Sequence, residues 1–434
     1  MIILTHHTGE PHGVLGAQAA ATTISEKLSV ACIVVGLQRQ FSVENLLAFV
    51  EQHYRGSDRI VAFSHLCGRK DIFELIPLLH AAGYRTILAG PQAAQDYRGE
   101  PGWEDHPHRF RGLKDCIDLA FHGPVDLLTR SQLVEETGCI EVPWKTDLSL
   151  HTDWSNIYLF GESIEKLDVQ VVQVLSAIGC PWAARGSDVL IDPPSNLKDR
   201  LPALSVKTSG CVFCDVARDK GFYGQMGRET VLVQVGNVPE KDGRKIAFEL
   251  IDEYPIKTLL KLLHDVEEEG LHLSQINLVL RVDDINRHTQ ALEEILGHAR
   301  ERRLIIMLSS IGFESFSDAI LRNLNKGISV DDIVKCVTSL RRLKERFGST
   351  LLYRRDEGAN HGFIHPTPWD DAETIPEMNR NIFIHRFFED ILPEHSIPLI
   401  IHHASFLADW IREIEARTGL IFHRDGTWIE WWSL

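Results

Sequence analysis

The sequence predicts an α/β protein with two parallel sheets, the first in an N-terminal doubly wound domain and the second in a partial barrel. Over about the first 135 residues, short apolar runs alternate with helical patterns, as in parallel strands joined by crossover helices. A second alternating series begins near residue 171. Turn residues follow several strands, and open α/β sheets and barrels bind their ligands at those ends.

The N-terminal series predicts a Rossmann-like, flavodoxin-like parallel sheet domain over residues 1–135. Its apolar strands and helices alternate over residues 2–4, 14–28, 32–37, 43–50, 60–63, 72–82, 86–89 and 117–120. Gly90 and Pro91 follow one strand, and Gly123 and Pro124 follow another. Residues 136–170 are less periodic, with isolated tryptophans at Trp144 and Trp154, and we expect a connector packed on the surface.

The second series predicts a partial (β/α)6 barrel of the TIM type, with a C-terminal extension, over residues 171–434. Its predicted strands cover residues 171–175, 246–250, 276–280, 304–308, 361–365 and 397–401. Between them, Leu259, Leu260, Leu263 and Val266 recur at helical spacing, and residues 333–340 repeat the pattern. Barrels place their chemistry at the carboxyl ends of the strands.

Composition limits the classes of partner. The net charge is -16, with 44% hydrophobic and 24% charged residues, so an anionic membrane surface or a nucleic-acid backbone would be repelled. We expect a small-molecule or protein partner. No apolar run reaches the roughly 18 residues of a membrane span, and the first residues lack the basic flank of a signal peptide. We therefore expect a cytoplasmic protein.

Cysteines are the strongest chemical signal. Eight in a chain of this length are too sparse for a disulfide scaffold, yet Cys211 and Cys214 form a Cys-x-x-Cys that can bind one metal centre from a single turn. Half a zinc site or a redox pair is the alternative, although the sequence offers no matching second pair for zinc.

Cys180 lies where the first strand of the second series ends. Residues 181–210 can form an excursion that returns the chain to Cys211. Three cysteine ligands would leave a four-iron cluster with one open iron. The alternative for Cys180 is a buried small hydrophobic residue.

Residues 179–182, Gly-Cys-Pro-Trp, followed by the Cys-x-x-Cys, resemble the cluster loop of radical S-adenosylmethionine enzymes, particularly those with an N-terminal cobalamin-binding domain. Residues 276–286 resemble that group's third barrel strand, and residues 311–318 and 324–329 resemble the end of its fourth strand and the segment that follows. The family's usual Cys-x3-Cys-x2-Cys would place a cysteine at position 207, where this chain has Lys207. Either Cys180 replaces it from a distance, or the cluster is altered or lost.

The resemblance implies a [4Fe-4S] cluster whose open iron chelates S-adenosylmethionine, and an electron donor such as flavodoxin or ferredoxin. It implies that Glu249 and Asp252 meet the amino group, Arg281 the carboxylate, and Glu314 or Ser315 the ribose or amino group. The alternative for Arg281 and for Glu314 is a structural ion pair, because charged groups inside a barrel need partners. For Arg281 that partner would be one of the two aspartates that follow it.

The resemblance also implies cobalamin against the carboxyl edge of the first sheet, facing the barrel. The candidate contacts are mostly small residues that let a macrocycle approach the backbone: Ser64, Gly90, Pro91, Gln92 and Gly123. The chain has no Asp-x-His-x-x-Gly segment, so no protein histidine need bind the cobalt. The alternative is a domain that has lost its cofactor or binds something else.

The implied function is methylation, or a radical rearrangement or ring formation, on a small molecule. One alternative is a cobalamin-independent radical enzyme whose N-terminal domain is a scaffold. Another is a non-catalytic cofactor-binding or sensor protein. His402 and His403, after the last predicted strand, are candidates for substrate contact or proton transfer, with a structural role as the alternative.

Overall fold

Two large sheets organise the chain, an eight-stranded first sheet and a six-stranded parallel second sheet. The structure is a computed structural model that describes residues 1–54, 59–64, 69–184 and 186–433. This mixed α/β architecture with large parallel sheets is the coarse fold that the sequence predicts.

The first sheet begins at the N-terminus, and β7 and β8 are its only antiparallel neighbours among the described strands. Its strands are β1 Ile2–His6, β2 Ile33–Leu37, β3 Ile60–Ser64, β4 Arg85–Ala89, β5 Leu119–His122, β6 Gly138–Glu141, β7 Ile157–Phe160 and β8 Ile164–Lys166. The strand order is β6-β5-β4-β3-β1-β2-β7-β8. The intervening helices are α1 Leu15–Lys27, α2 Val43–His53, α3 Lys70–Ala81, α4 Ala93–Arg98 and α5 Arg130–Val134. The central strands are almost wholly buried, which explains their continuous apolar runs.

The segment predicted as a connector has more structure than expected. It supplies β6 to one edge of the first sheet and β7 and β8 to the other. Trp154 is buried in the larger hydrophobic core, not on the surface. The sequence pattern missed these strands because each has only three or four residues, too few to show a clear alternation of polar and apolar side chains.

Small antiparallel pairs separate the first strand of the second sheet from the rest. After β9 Val171–Leu175 come β10 Ala177–Gly179, β11 Gly186–Ile191, β12 Leu204–Ser209, β13 Tyr223–Gln225, β14 Glu240–Lys241 and β15 Arg244–Lys245. They pair as β10 with β13, β11 with β12, and β14 with β15. The helices here are α6 Asp215–Lys220 and α7 Arg228–Gly236.

The second sheet continues with parallel strands in the order β9-β16-β17-β18-β19, and β20 also pairs with β18. These strands are β16 Ala247–Ile251, β17 Gln275–Arg281, β18 Ile305–Glu314, β19 Leu351–Leu352 and β20 Gly362–Phe363. The helices are α8 Ile256–Glu268, α9 Val282–Arg287, α10 Thr289–Glu301, α11 Asp318–Asn323, α12 Val330–Phe347, α13 Thr374–Ile384 and α14 Phe406–Thr418. The predicted apolar stripe of α8 is confirmed, since Leu259, Leu263 and Val266 are buried.

The predicted strand over residues 397–401 continues the second sheet only in part, through hydrogen bonds of Ile397 with the backbone of Phe363 and His365 at 3.1 and 2.9 Å. Residue Ile397 makes one isolated parallel bridge to Ile364, and its side chain is 57% exposed. The chain then enters a separate antiparallel sheet formed by β21 Ile401–His402, β22 His423–Asp425 and β23 Trp428–Glu430. Ile397 and Ile400 are exposed, whereas Leu399 and Ile401 are buried, so the apolar run does not mark one continuous buried strand.

Buried charges join helix α14 and strand β22, in the C-terminal part of the chain, to the part that forms the first sheet. Glu100, beside α4, is fully buried and accepts hydrogen bonds from Arg412 at 3.0 Å and Arg424 at 2.8 Å. Arg424 also pairs with Glu415. No helix in the described part of the chain is long and apolar enough to cross a membrane.

These buried carboxylates make stability sensitive to acid. Burial alone would raise the pKa of Glu100, but Arg424 and Arg412 outweigh it and lower the pKa to about 2. Asp96 behaves alike, because two neighbouring histidines outweigh the effect of burial and its pKa is also about 2. Both values lie below the unfolded-state pKa of about 4. Each carboxylate therefore stabilises the fold above about pH 5, by about 2–3 kcal/mol for a shift of this size, and the contribution is lost as pH falls toward 2.

We expect the urea midpoint of unfolding to fall steadily between pH 5 and pH 3. Urea titrations followed by circular dichroism at each pH measure it. A midpoint that stays level down to pH 3 would contradict the prediction.

Candidate functional site

Cys180, Cys211 and Cys214 line one cavity of about 180 Å³ at the carboxyl ends of the second sheet. Cys180 follows β10, and Gly179 directly before it has φ +80. A side chain at Gly179 would collide with the backbone carbonyl oxygen of Phe222. Glycine is therefore required for the turn that brings Cys180 into the cavity.

The excursion predicted over residues 181–210 contains the β11–β12 hairpin. Lys207 lies on β12 opposite Asp188, and its side chain is exposed. It does not line the cavity with Cys211 and Cys214. Among the positions considered from the sequence, Cys180 is the one that the fold places beside the Cys-x-x-Cys.

Among the described residues, one group of possible metal ligands has all its ligand atoms within 4.8 Å of one another, and it consists of Asp96, His402 and His403. The three cysteines do not form such a group. Ligands of a single zinc ion would be that close, because Zn–S bonds are about 2.3 Å long. A four-iron cluster takes each thiolate on a different iron and tolerates wider separation. Three cysteines at such wider spacing are compatible with a multi-iron cluster.

Arg281 is a hydrogen-bonding centre beside these cysteines. Its Nη1 donates to the Sγ of Cys211 at 3.5 Å, its Nε to Asp283 at 2.8 Å, and its Nη2 to the Lys326 carbonyl oxygen at 2.7 Å. Burial opposes its charge, but the neighbouring Cys211 and Asp283 outweigh burial and raise its pKa. The Arg281 guanidinium was predicted to bind the carboxylate of S-adenosylmethionine, but it already has three protein partners. One of them is Asp283, as the alternative of a structural ion pair expects.

Glu314 is paired as well. Its Oε1 lies 2.7 Å from the Nζ of Lys326, and both side chains are buried. Gly312 and Gly362 leave room for this pair, because an added Cβ would lie 2.5 Å from the Lys326 Nζ at Gly312 and 2.8 Å from the Glu314 Oε2 at Gly362. Glu314 and Lys326 both line the cysteine cavity.

Ser315 lies away from that cavity. It is fully buried, its Oγ contacts the Met378 sulfur at 3.4 Å, and it accepts a hydrogen bond from the Ser317 N–H at 3.2 Å. Since consecutive residues at the end of a strand point to opposite sides, Glu314 reaches the cavity and Ser315 packs behind it.

Glu249, on β16, and Asp252, directly after it, have different hydrogen-bond partners. Asp252 accepts from Ser176, Tyr223 and the Tyr254 N–H, at 3.3, 3.1 and 2.8 Å, and burial raises its pKa. Glu249 accepts from Gln173 at 3.3 Å. Neither of these two carboxylates lines the cysteine cavity.

Glu253 is the carboxylate at the junction of the site. It lines both the cysteine cavity and a larger cavity between the two halves. Burial raises its pKa, against the opposing effects of Lys326 and Arg281. Glu253 was not among the predicted site residues, although it follows Asp252 near the end of a predicted strand, where a binding residue is expected.

The larger cavity, here called the interdomain cavity, has a volume of about 420 Å³. Four of the five predicted cofactor contacts lie in its wall: Ser64, Gly90, Pro91 and Gly123. The opposite wall comes from the ends of β9, β10 and β16. The carboxyl edges of both sheets therefore face one mostly apolar space.

Gln92, the fifth predicted contact, is not part of that wall. It has φ +62 at the start of α4, and its N–H donates to the Oδ1 of Asp219 at 3.2 Å. The wall also includes small residues of α1: Gly16, Ala19 and Ala20.

His402 and His403 do not line either cavity. The Nε2 atoms of both lie near one oxygen of Asp96, at 3.3 and 2.9 Å. The Ala404 N–H donates to the Nδ1 of His402 at 3.2 Å, so neutral His402 carries its proton on Nε2 and donates to Asp96. This arrangement supports the structural alternative for the pair.

The chain matches no protein-family model and no curated protein.

Proposed function

We propose that this chain is a radical S-adenosylmethionine enzyme whose [4Fe-4S] cluster is held by Cys180, Cys211 and Cys214. The observation that carries the proposal is the convergence of these cysteines in one cavity at the carboxyl ends of a parallel sheet, where α/β proteins place their chemistry. In this proposal the second sheet is a partial (β/α)6 barrel. The order β2-β1-β3-β4-β5 supports a flavodoxin-like first domain.

The residues around the cysteines fit such a cluster. Three thiolates leave one iron for an external ligand, and the Arg281 guanidinium donates a hydrogen bond to the sulfur of Cys211. When bound, the cluster supplies the electron, received from a donor such as flavodoxin or ferredoxin, that cleaves S-adenosylmethionine. Glu253 is the best candidate to hold the amino group, because Glu314 is already paired with Lys326.

The interdomain cavity suits cobalamin by its shape and its wall. Gly90 and Gly123 permit close approach to the edge of the first sheet, and small residues of α1 in the wall permit close approach to this helix as well. Asp126 and Trp144, both in the wall, each have a buried polar atom without a partner in the described part of the chain. The amide groups of a corrinoid can satisfy both the acceptor and the donor.

The size of the cavity adds a condition. Its 420 Å³ lies within the range of about 300–1,000 Å³ that holds drug-sized ligands, and a corrinoid is larger. Part of the macrocycle would therefore remain in the open mouth of the cavity. When bound, cobalamin supplies the methyl-transfer or radical chemistry, and the protein's part is binding, orientation and exclusion of water.

The reaction class that follows is methylation, or a radical rearrangement or ring formation, on a small molecule. Its reacting part would lie near Glu253, which lines both cavities. The mostly apolar wall favours a substrate with apolar surface at this point.

Anaerobic reconstitution of the full chain with iron and sulfide tests the proposal. We expect about four irons per chain, as in a [4Fe-4S] cluster, and a paramagnetic spectrum of the reduced protein that changes on adding S-adenosylmethionine. Cobalamin bands that survive desalting would support the third cofactor. A wild-type chain without a cluster would overturn the radical mechanism, and a cluster without retained cobalamin would favour the cobalamin-independent alternative.

A further inference from the structure

Helix α6 links the cysteine loop to the first sheet. It begins directly after Cys214 and ends at Lys220. Its last residues, Asp219 and Lys220, contact the carboxyl edge of the first sheet, where His122 ends β5. Neither α6 residue belongs to a motif that the sequence analysis identified.

Asp219 is the centre of this contact. Its side chain is 2% exposed and accepts from the Nε2 of His122 at 2.6 Å and from the Gln92 N–H at 3.2 Å, and it pairs with Lys220. Burial opposes its charge, but His122 and Lys220 outweigh burial and lower its pKa to about 2. Asp219 is therefore a buried anion that fixes the position of Lys220.

Lys220 is held in the wall of the interdomain cavity. Its Nζ lies 3.7 Å from the centre of the Trp144 ring. An ammonium has three N–H donors. Asp219 accepts one and the face of Trp144 attracts another, which leaves one donor for a molecule in the cavity.

Lys220 differs from the other described wall residues in the charge of its side chain. Among the described wall residues, Lys220 is the only lysine or arginine. The nearby Asp126 is 3.5 Å from Lys145, which lies outside the wall. A buried ammonium is costly in an apolar wall unless it is fully hydrogen-bonded, and an oxygen acceptor on a ligand would complete its bonding.

We propose that Lys220 donates a charge-assisted hydrogen bond to an amide or phosphate oxygen of a corrinoid in the interdomain cavity, with Asp219 as the positioning residue. This inference rests on the proposed function and adds a specific recognition contact to it. Since α6 starts at the cysteine loop, the same contact ties corrinoid binding to the position of Cys214.

Equilibrium dialysis of the full chain against hydroxocobalamin, read by visible absorbance, tests the contact. We expect Lys220→Met to raise the Kd about 10-fold or more, because a charge-assisted bond is lost. Lys166→Met removes the same charge from exposed β8 and is the matched control, expected to bind like wild type. Lys220→Gln also removes the charge and is expected to weaken binding, which provides a second test if the methionine variant misfolds.

The outcomes separate this inference from the proposed function. Wild-type affinity in both Lys220 variants, with a wild-type protein that binds hydroxocobalamin, would overturn the Lys220 contact alone. A wild-type protein that assembles its cluster but binds no hydroxocobalamin would overturn the corrinoid proposal and the Lys220 contact with it. Weaker binding in the Lys220 variants and not in Lys166→Met would support the contact.

Discussion

Replacing Cys180 with alanine is expected to abolish assembly of an intact four-iron cluster. Cys180 lies in the cavity with Cys211 and Cys214, and two thiolates alone leave two irons of a four-iron cluster without protein ligands. After anaerobic reconstitution, we expect iron content to fall from about four per chain to under one. The broad visible absorption and the paramagnetic signal of the reduced protein should be lost together with the iron.

Cys116→Ala is the matched control. Cys116 is a half-buried cysteine of the first domain, and it does not line the cysteine cavity. The same change of side chain there should leave iron content at the wild-type level. A Cys180→Ala protein with four irons and an unchanged spectrum would show that another residue supplies the third ligand, and a thermal melt of each variant separates ligand loss from unfolding.

Replacing Glu100 with alanine is expected to produce the largest loss of stability. Glu100 is fully buried and neutralises Arg412 and Arg424, which are themselves largely buried. Removing one partner from a buried ionic network leaves uncompensated charge and typically costs about 3–5 kcal/mol. We expect that loss in the free energy of unfolding, measured by urea titration at pH 7.

Glu141→Ala provides the comparison. Glu141 pairs with Arg98 where both side chains are exposed, and an exposed ion pair contributes about 0–1 kcal/mol. If Glu100→Ala costs no more than Glu141→Ala, the buried charges do not stabilise the contact between the two halves. Because Glu100 belongs to the first half and both arginines to the C-terminal segment, its loss should also weaken ligand binding in the interdomain cavity.

The elements that the sequence predicted well are those with strong periodicity. Alternation of buried strands and amphipathic helices was enough to place β1 to β5 and α8, since burial on both faces or on one face leaves a direct trace in the residue pattern. The short strands β6, β7 and β8 left a weak trace and were missed. The run at residues 397–401 left a strong trace, yet Ile397 is exposed and the chain joins a different sheet.

Some features of the candidate site were likewise predictable from the sequence, and others were not. Local spacing identified Cys211 and Cys214, the position at the end of a predicted strand added Cys180, and the resemblance added Arg281 and Glu314, all of which line the cysteine cavity. The spacing of residues in the sequence could not predict the hydrogen-bond and ion-pair partners of these side chains. Whether an arginine or glutamate is available to a ligand depends on hydrogen bonds from distant segments, and these form only when the chain folds.

By itself, the sequence determined the α/β class, the two parallel series and the cysteine spacing, because each depends on residues that are near one another in the chain. Only the tertiary structure decided that Cys180 joins the other two cysteines, that Glu253 stands between two cavities, and that Lys220 lies in the apolar wall. These relations arise because parallel strands bring their carboxyl ends to one edge. Residues that are remote in the sequence meet there, and no local pattern records which of them will be neighbours.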